Sequence, residues 1–268
     1  MVIDCYGGEN MVTALLLSGG TGTRMGVETP KQYIEVEGRP IIAYCLRTLF
    51  SHEEIDAVQI VADEMWRELI LECVDGLGAW EEDKDADIGN VQGIGGMPPA
   101  GRKNKFRGFS APGETRQLSI LNGLEDIGKY AVDSDYVLIH DAARPLLTAG
   151  LVTDCLSAAA DHDGAIPVLP MKDTVYFSEN GEQITSLLAR SRIFAGQAPE
   201  AFLFGKYTEA VRNLLPERIF KINGSTEPAV MAGMDIAMIP GDEGNFKITT
   251  KADLERFREC VSTCGGQA

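Results

Sequence analysis

The chain has 268 residues, of which 44% are hydrophobic, and a formal net charge of −16 at pH 7. That length can bury a full core as one large α/β domain, and the acidic surface argues against non-specific nucleic-acid binding, because a polyanion would be repelled. No apolar run approaches the roughly 20 residues of a membrane helix, and the opening MVIDCYGGEN is acidic and Gly-rich rather than signal-like, so a cytoplasmic protein without membrane contact is expected.

Residues 1–11 read as an N-terminal extension, and 12–268 as a single domain. The run VTALLLSG predicts a buried strand ended by glycine, and RPIIAYCLRTLFSH carries apolar residues at helical spacing. IDAVQIVAD then predicts a second strand, and EMWRELILECV a second helix. This alternation is the pattern of a mostly parallel, open, Rossmann-like sheet with helices on both faces. From Asp75 to Pro112 the pattern breaks down into a Gly-rich stretch, acidic first and basic later, which reads as a long insertion.

Alternation resumes with GETRQLSILNGLEDI (helix), SDYVLIHDAARP (strand and polar turn), TAGLVTDCLSAAADH (helix) and DGAIPVLPMKDTVYF (strand). SENGEQI is turn chemistry between extended runs, so residues 172–198 are expected to form a protruding β-arm. The chain closes with helical LFGKYTEAVRNLL, a strand in MDIAMIPGD, and helical TTKADLERFREC with Thr250 as N-cap. Six cysteines without a CxxC pair fit reduced, mostly buried thiols. His52, His140 and His162 show no ligand spacing, and His140 is expected to be a satisfied core residue.

The stretch LLLSGGTGTRMGVETPKQY matches neither familiar phosphate loop. After Gly22 come Thr23 and Arg24, where a P-loop needs lysine and then Ser or Thr. Gly20, Gly22 and Gly26 are spaced GxGxxxG, one residue too long for the dinucleotide fingerprint, which disfavours a nicotinamide-dependent oxidoreductase. Glycines that let backbone N–H groups turn toward an anion, flanked by Arg24 and Lys31, nevertheless suit a triphosphate. Asp141 in HDAARP lies at the carboxyl edge of a predicted strand, where open α/β sheets bind ligands. It could hold a hydrated Mg²⁺ or a ribose hydroxyl, with Arg144 fixing the turn. In PGETRQLS, Arg116 and Ser119 could reach a base or a phosphate.

Taken in order, LSGGTGTRMG…PKQ, GETRQLSILNGL, VLIHDAARP, KDT, R…GQAPEAF and GNFKITTKADL resemble the cytidylyltransferases that act on polyol phosphates, over about Val12 to Arg258. The resemblance implies transfer of CMP from CTP to a polyol phosphate, with Mg²⁺ and release of pyrophosphate. It implies that Leu17, Ser18, Gly19 and Gly20 line the triphosphate and base. Arg24 and Lys31 would stabilise the pentavalent transition state. Gly113, Glu114, Arg116 and Ser119 would recognise cytosine, and Asp141 with Ala142 would lie near ribose, metal and acceptor. Arg190 and Lys247 would position the acceptor phosphate, with Thr174 and Thr226 as further acceptor contacts. In such enzymes the arm reaches into a neighbouring subunit's site, so a homodimer with arm exchange is implied.

The acceptor expected first is 2-C-methyl-D-erythritol 4-phosphate, since HDAARP has that form. LSGG and the Gly-Gln of GQAPEAF are closer to ribitol-5-phosphate enzymes, which stand as the alternative. GSTEPAVMAG replaces the usual TDEA segment, and Ala198 stands where threonine is usual. A catalytically silent CTP-binding protein is the reading outside the enzyme class.

Overall fold

In VTALLL every residue is apolar except Thr13, and the computed structural model shows why. It describes residues 10–20, 29–82 and 105–264; most of the N-terminal extension, Arg24 with the rest of 21–28, and 83–104 of the insertion lie outside the described residues. In β1 (Val12–Leu17), Val12, Ala14 and Leu16 enter one hydrophobic core and Leu15 the other, following the period-two alternation of a strand. A strand buried on both faces belongs inside a parallel sheet.

β1 is followed by a small antiparallel pair, β2 (Glu35–Val36) with β3 (Arg39–Pro40), then helix α1 (Ile41–Ser51). β4 (Ala57–Val61), α2 (Arg67–Glu82), β5 (Phe106–Ser110), α3 (Arg116–Ile127) and β6 (Tyr136–Asp141) come next. β4 and β6 flank β1 in parallel, and β5 extends the sheet beyond β4. After α4 (Ala149–Ala160), β7 (Gly164–Pro170) leads to a short antiparallel hairpin, β8 (Tyr176–Phe177) with β9 (Ser186–Leu187). β10 (Phe194–Gly196) and β11 (Glu200–Leu203) both pair antiparallel with β7, and β11 also pairs antiparallel with β6. α5 (Phe204–Arg212), α6 (Thr226–Met231), β12 (Ile236–Pro240) and α7 (Lys251–Cys264) complete the chain, with β12 parallel to β7. The result is an eight-stranded, mostly parallel α/β sheet.

Side chains of α1, α2, α4 and α7 fill one core, and those of α3, α5 and α6 the other, so helices cover both faces as the alternation predicts. Two boundaries differ from the sequence reading. The helix that opens at Arg67 continues past Asp75 to Glu82 and buries Leu77, while Phe106–Ser110 is a sheet strand. Glycines, joined in the helix by acidic residues, mask these elements, because they lower local propensity where tertiary packing supplies the stability. The expected arm is also shorter at its C-terminal end. Residues 194–196 belong to the central sheet, where Gly196 lets the backbone come close to the Ile166 side chain.

Candidate active site

The carboxyl ends of β1 and β6 open into a cleft of about 380 Å³, lined by Leu17, Gly19, Gly20, Lys31, Gln32, Gly113, Glu114, Thr115, Arg116, Ser119, Asp141, Ala143, Lys247 and Thr249. Its first wall is the end of β1. The Ala142 N–H donates to the Leu17 carbonyl at 3.0 Å and the Ser18 N–H to the Val61 carbonyl at 2.9 Å, so the sheet fixes where the glycines begin. A Cβ at Gly19 would meet Pro112 Cβ at 2.5 Å. Only glycine lets this first turn lie against the second.

The second wall is the turn before α3. Thr115 caps the helix by accepting from the Leu118 N–H at 3.2 Å. The Ser119 hydroxyl donates to the Thr115 carbonyl at 3.0 Å and accepts the Gly113 N–H at 2.9 Å. Ser119 therefore lines the cleft while its hydroxyl braces the turn. A side chain at Gly113 would run into the backbone of Leu118 and Ser119.

Asp141 is the electrostatic centre. Arg116 Nη2 lies 3.1 Å from Oδ1, Lys247 Nζ 2.9 Å from Oδ2 and Arg144 Nε 3.9 Å from Oδ2. Burial alone would raise its pKa; the charges of Arg116, then Lys247, outweigh burial and hold the carboxyl far below the usual carboxylate range. Arg144 also donates from Nη1 to the Asn245 carbonyl at 2.7 Å, and the Ile248 N–H bonds to the Ala143 carbonyl at 2.8 Å. These bonds seat the Lys247 segment beside the turn after β6. His140 is fully buried with Nε2 3.0 Å from the Arg144 carbonyl, and burial lowers its pKa to about 4. It is a core residue, as expected, but only half satisfied, since its Nδ1 is buried without a hydrogen-bond partner.

Residues distant in sequence thus meet here: Leu17, Gly19, Gly20, Lys31, Gly113, Glu114, Arg116, Ser119, Asp141 and Lys247 all line one cleft. Ser18 and Ala142 lie buried behind it, and Ser18 Oγ is 2.7 Å from the Tyr33 hydroxyl. Thr174 and Arg190 are exposed on the arm and do not line this cleft; Arg190 Nη1 donates to the Lys172 carbonyl at 2.8 Å. The Thr226 hydroxyl, at the start of α6, donates to Glu200 Oε2 at 2.7 Å, so it is turned to a buried carboxylate. Arg24 lies outside the described residues.

Sequence reasoning passed over Gln32, Thr115, Ala143 and Thr249, which also line the cleft, and Glu200, which is buried and accepts from both Ser225 and Thr226. Gln32 was within reach as the last residue of PKQ. Glu200 gave no signal, because a carboxylate in a short strand run reads as solvent-facing until its partners are known.

A cleft rimmed by glycine turns and lined by Lys31, Arg116 and Lys247, at the carboxyl edge of a parallel sheet, defines a protein built to handle a nucleotide polyphosphate. The sequence profile of the family described as IspD: 2-C-methyl-D-erythritol 4-phosphate cytidylyltransferase matches residues 12–74 and 108–261. The chain belongs to that family. A 2-C-methyl-D-erythritol 4-phosphate cytidylyltransferase from Rubrobacter xylanophilus is 33% identical over 245 residues, covering 90% of each chain. A ribitol-5-phosphate cytidylyltransferase from Lacticaseibacillus paracasei is 25% identical over 92% of this chain and 97% of its own. Some relatives are bifunctional IspD/IspF enzymes, of whose length this chain matches about half, 54% and 56% in two of them. Among solved structures, the 4-diphosphocytidyl-2C-methyl-D-erythritol synthase of Anaerococcus prevotii superposes with a TM-score of 0.72 at 21% identity, over 95% of this chain and 97% of that one, and shares its fold.

Proposed function

We propose that this protein transfers CMP from CTP to 2-C-methyl-D-erythritol 4-phosphate, giving 4-diphosphocytidyl-2-C-methyl-D-erythritol and pyrophosphate. The observation that carries this reading is the convergence of Lys31, Arg116 and Lys247 with the Gly19 and Gly113 turns on one cleft, in a chain of this family. A phosphate oxygen of the acceptor attacks the α-phosphorus of CTP. One P–O bond forms, the bond to the bridging α,β-oxygen breaks, and pyrophosphate leaves with the electron pair. The nucleophile is already anionic at neutral pH, so no Ser–His pair or thiolate is required.

Lys31, together with Arg24 by family resemblance, stabilises charge that develops on the bridging and equatorial oxygens. The turn from Gly113 to Ser119 holds cytosine through backbone groups. Asp141 contacts ribose and orients Lys247, whose ammonium holds the acceptor phosphate.

Among the described residues no three His, Cys, Asp or Glu side chains cluster as a metal cage, and Asp141 already faces cations. This donor set fits Mg²⁺ arriving on the triphosphate, with Asp141 as the nearby carboxylate. Bound there, Mg²⁺ would neutralise phosphate charge and favour departure of pyrophosphate.

Thr174 and Arg190, exposed on the arm, act on the acceptor in the site of a second subunit, and this makes the working unit a homodimer. Ribitol-5-phosphate is the second reading, favoured by the relative from Lacticaseibacillus paracasei. The Ser-Gly pair of LSGG does not strengthen it, because Ser18 is buried against Tyr33 and does not line the cleft. Incubation with Mg²⁺, CTP and, separately, methylerythritol, ribitol and glycerol phosphates, with detection of each CDP-product, tests both. Pyrophosphate release with methylerythritol phosphate alone is the expected result. CTP binding without turnover on any acceptor would replace the enzyme by a silent CTP-binding protein.

A further inference from the structure

The single 3₁₀ turn Lys31–Tyr33 carries more than the cation at its start. Gln32, buried at 3% exposure, donates from Nε2 to the Ser18 carbonyl at 2.7 Å and to the Gly20 carbonyl at 2.8 Å. The next residue reinforces the same point. The Tyr33 hydroxyl lies 2.7 Å from Ser18 Oγ and donates to the Ser18 carbonyl at 3.0 Å. Its ring stacks on Trp66, with centroids 4.3 Å apart and planes 16° from parallel. The aromatic pair backs the turn, so Gln32 reaches the glycines from a rigid base.

The consequence follows from peptide geometry. In a trans peptide the N–H points opposite to the preceding carbonyl. Drawing the Ser18 carbonyl toward Gln32 and Tyr33 turns the Gly19 N–H away from them, and Gly19 lines the cleft. Glycine by itself would leave this peptide free to rotate. Lys31 is covalently next to Gln32, so one amide group also fixes the spacing between the lysine and the start of the glycine turn.

We propose that Gln32 is a positioning residue for the nucleotide: it locks the Ser18–Gly20 backbone in the orientation that receives the triphosphate and sets its distance from Lys31. This rests on the reading of the cleft as the CTP site. The role is specific to the nucleotide side, since Lys247 and the acceptor side are held by Asp141, Arg144 and Asn245.

The test is CTP binding in the presence of Mg²⁺ by the full chain and by Gln32→Ala and Gln32→Glu, with steady-state kinetics beside it. Loss of two buried hydrogen bonds to the loop predicts CTP affinity lower by about tenfold or more in Gln32→Ala. Turnover also falls, while KM for the acceptor phosphate stays as in the wild type. In Gln32→Glu, a carboxylate faces two carbonyls and binding is weaker still. Burial against two carbonyls raises the pKa of that carboxyl, so the variant's affinity relative to wild type recovers in part between about pH 8 and about pH 5.5, as the carboxyl regains a proton and can donate one of the two bonds. Should Gln32→Ala not fold, this pH profile of the isosteric variant decides alone. Variants that bind CTP like the wild type, a flat pH ratio, or equal rises in KM for both substrates would overturn the role of Gln32. A wild-type protein that fails to bind CTP would overturn the reading of the cleft itself, and this proposal with it.

Discussion

Lys31 and Asp141 illustrate two kinds of charge in one cleft. Lys31 lines the opening beside the glycine turn, and Lys31→Ala is expected to lower kcat by about a hundredfold, as removal of a donor to developing charge does; pyrophosphate release measures it. Asp141 instead binds the site together, and its replacement removes the carboxylate with which Arg116 and Lys247 pair. Asp141→Asn should cost about 3 kcal/mol of stability in urea unfolding, the scale of breaking a buried ion pair. The carboxyl is depressed from its ordinary 3.8. Its stabilising contribution is therefore complete above that value and is lost as pH falls below it. His140 acts in a higher window. With its folded pKa near 4 against an ordinary 6.5, it favours the folded state fully above pH 6.5 and loses that contribution as pH falls toward 4. A His140→Gln variant should show a flatter urea midpoint than the wild type across that window.

At the scale of elements, the last helix shows how directly some sequence signals translate. Thr250 was legible as the N-cap of α7, and the bonds are reciprocal: the Asp253 N–H donates to Thr250 Oγ1 at 3.2 Å and the Thr250 N–H to Asp253 Oδ2 at 2.7 Å. This is a capping box with aspartate in the third position. Burial would raise the Asp253 pKa, but donors from Thr249 and Thr250 bring it down to about 2. Thr250→Ala should cost about 1 kcal/mol in thermal unfolding. The strands β1, β4 and β6 were equally plain, because continuous apolar runs bounded by polar turns have few other uses. The continuation of α2 and the existence of β5 were not. Leu77 is buried, yet the residues around it dilute the helical pattern below recognition. A deletion joining Val74 to Lys105 would remove that core side chain together with the end of the helix. Any loss of activity it caused would therefore not isolate a role for the insertion.

At the scale of the molecule, the arm presents Tyr176, Phe177, Ile184, Leu187 and Leu188 to solvent, with Leu187 at 71% and Ile184 at 64% exposure. Apolar side chains concentrated on one protruding segment mark an interaction surface, in keeping with the proposed exchange of arms. Lys172 at the start of the arm pairs with Glu243, and Gln197, just past β10, exchanges hydrogen bonds with Asp242 at 2.9 and 3.0 Å, so the base of the arm and the strand that follows it are both tied to the segment that leads to Lys247. If the arms exchange as proposed, Leu187→Glu shifts the protein from dimer to monomer in light scattering. Turnover should drop with it, since Thr174 and Arg190 would no longer reach a neighbouring site. A variant that stays dimeric and fully active would remove the arm from the interface.

The alternation of strands and helices, the two glycine turns, the Asp141 edge and the order of motifs that marks the family are all legible along the chain. These are local properties: periodicity, turn chemistry and spacing are written over a few neighbouring residues. The partnerships were decided by tertiary structure. Gln32 became an anchor because the turn after Pro30 folds back against the segment that follows β1. The sequence offered Ser119 and Thr226 as substrate contacts, and packing directs their hydroxyls to the turn before α3 and to Glu200, as it directs that of Ser18 to Tyr33. A hydroxyl or carboxylate carries no mark of its partner along the chain. Its role is fixed only when burial removes water as an alternative and makes each unsatisfied polar group costly.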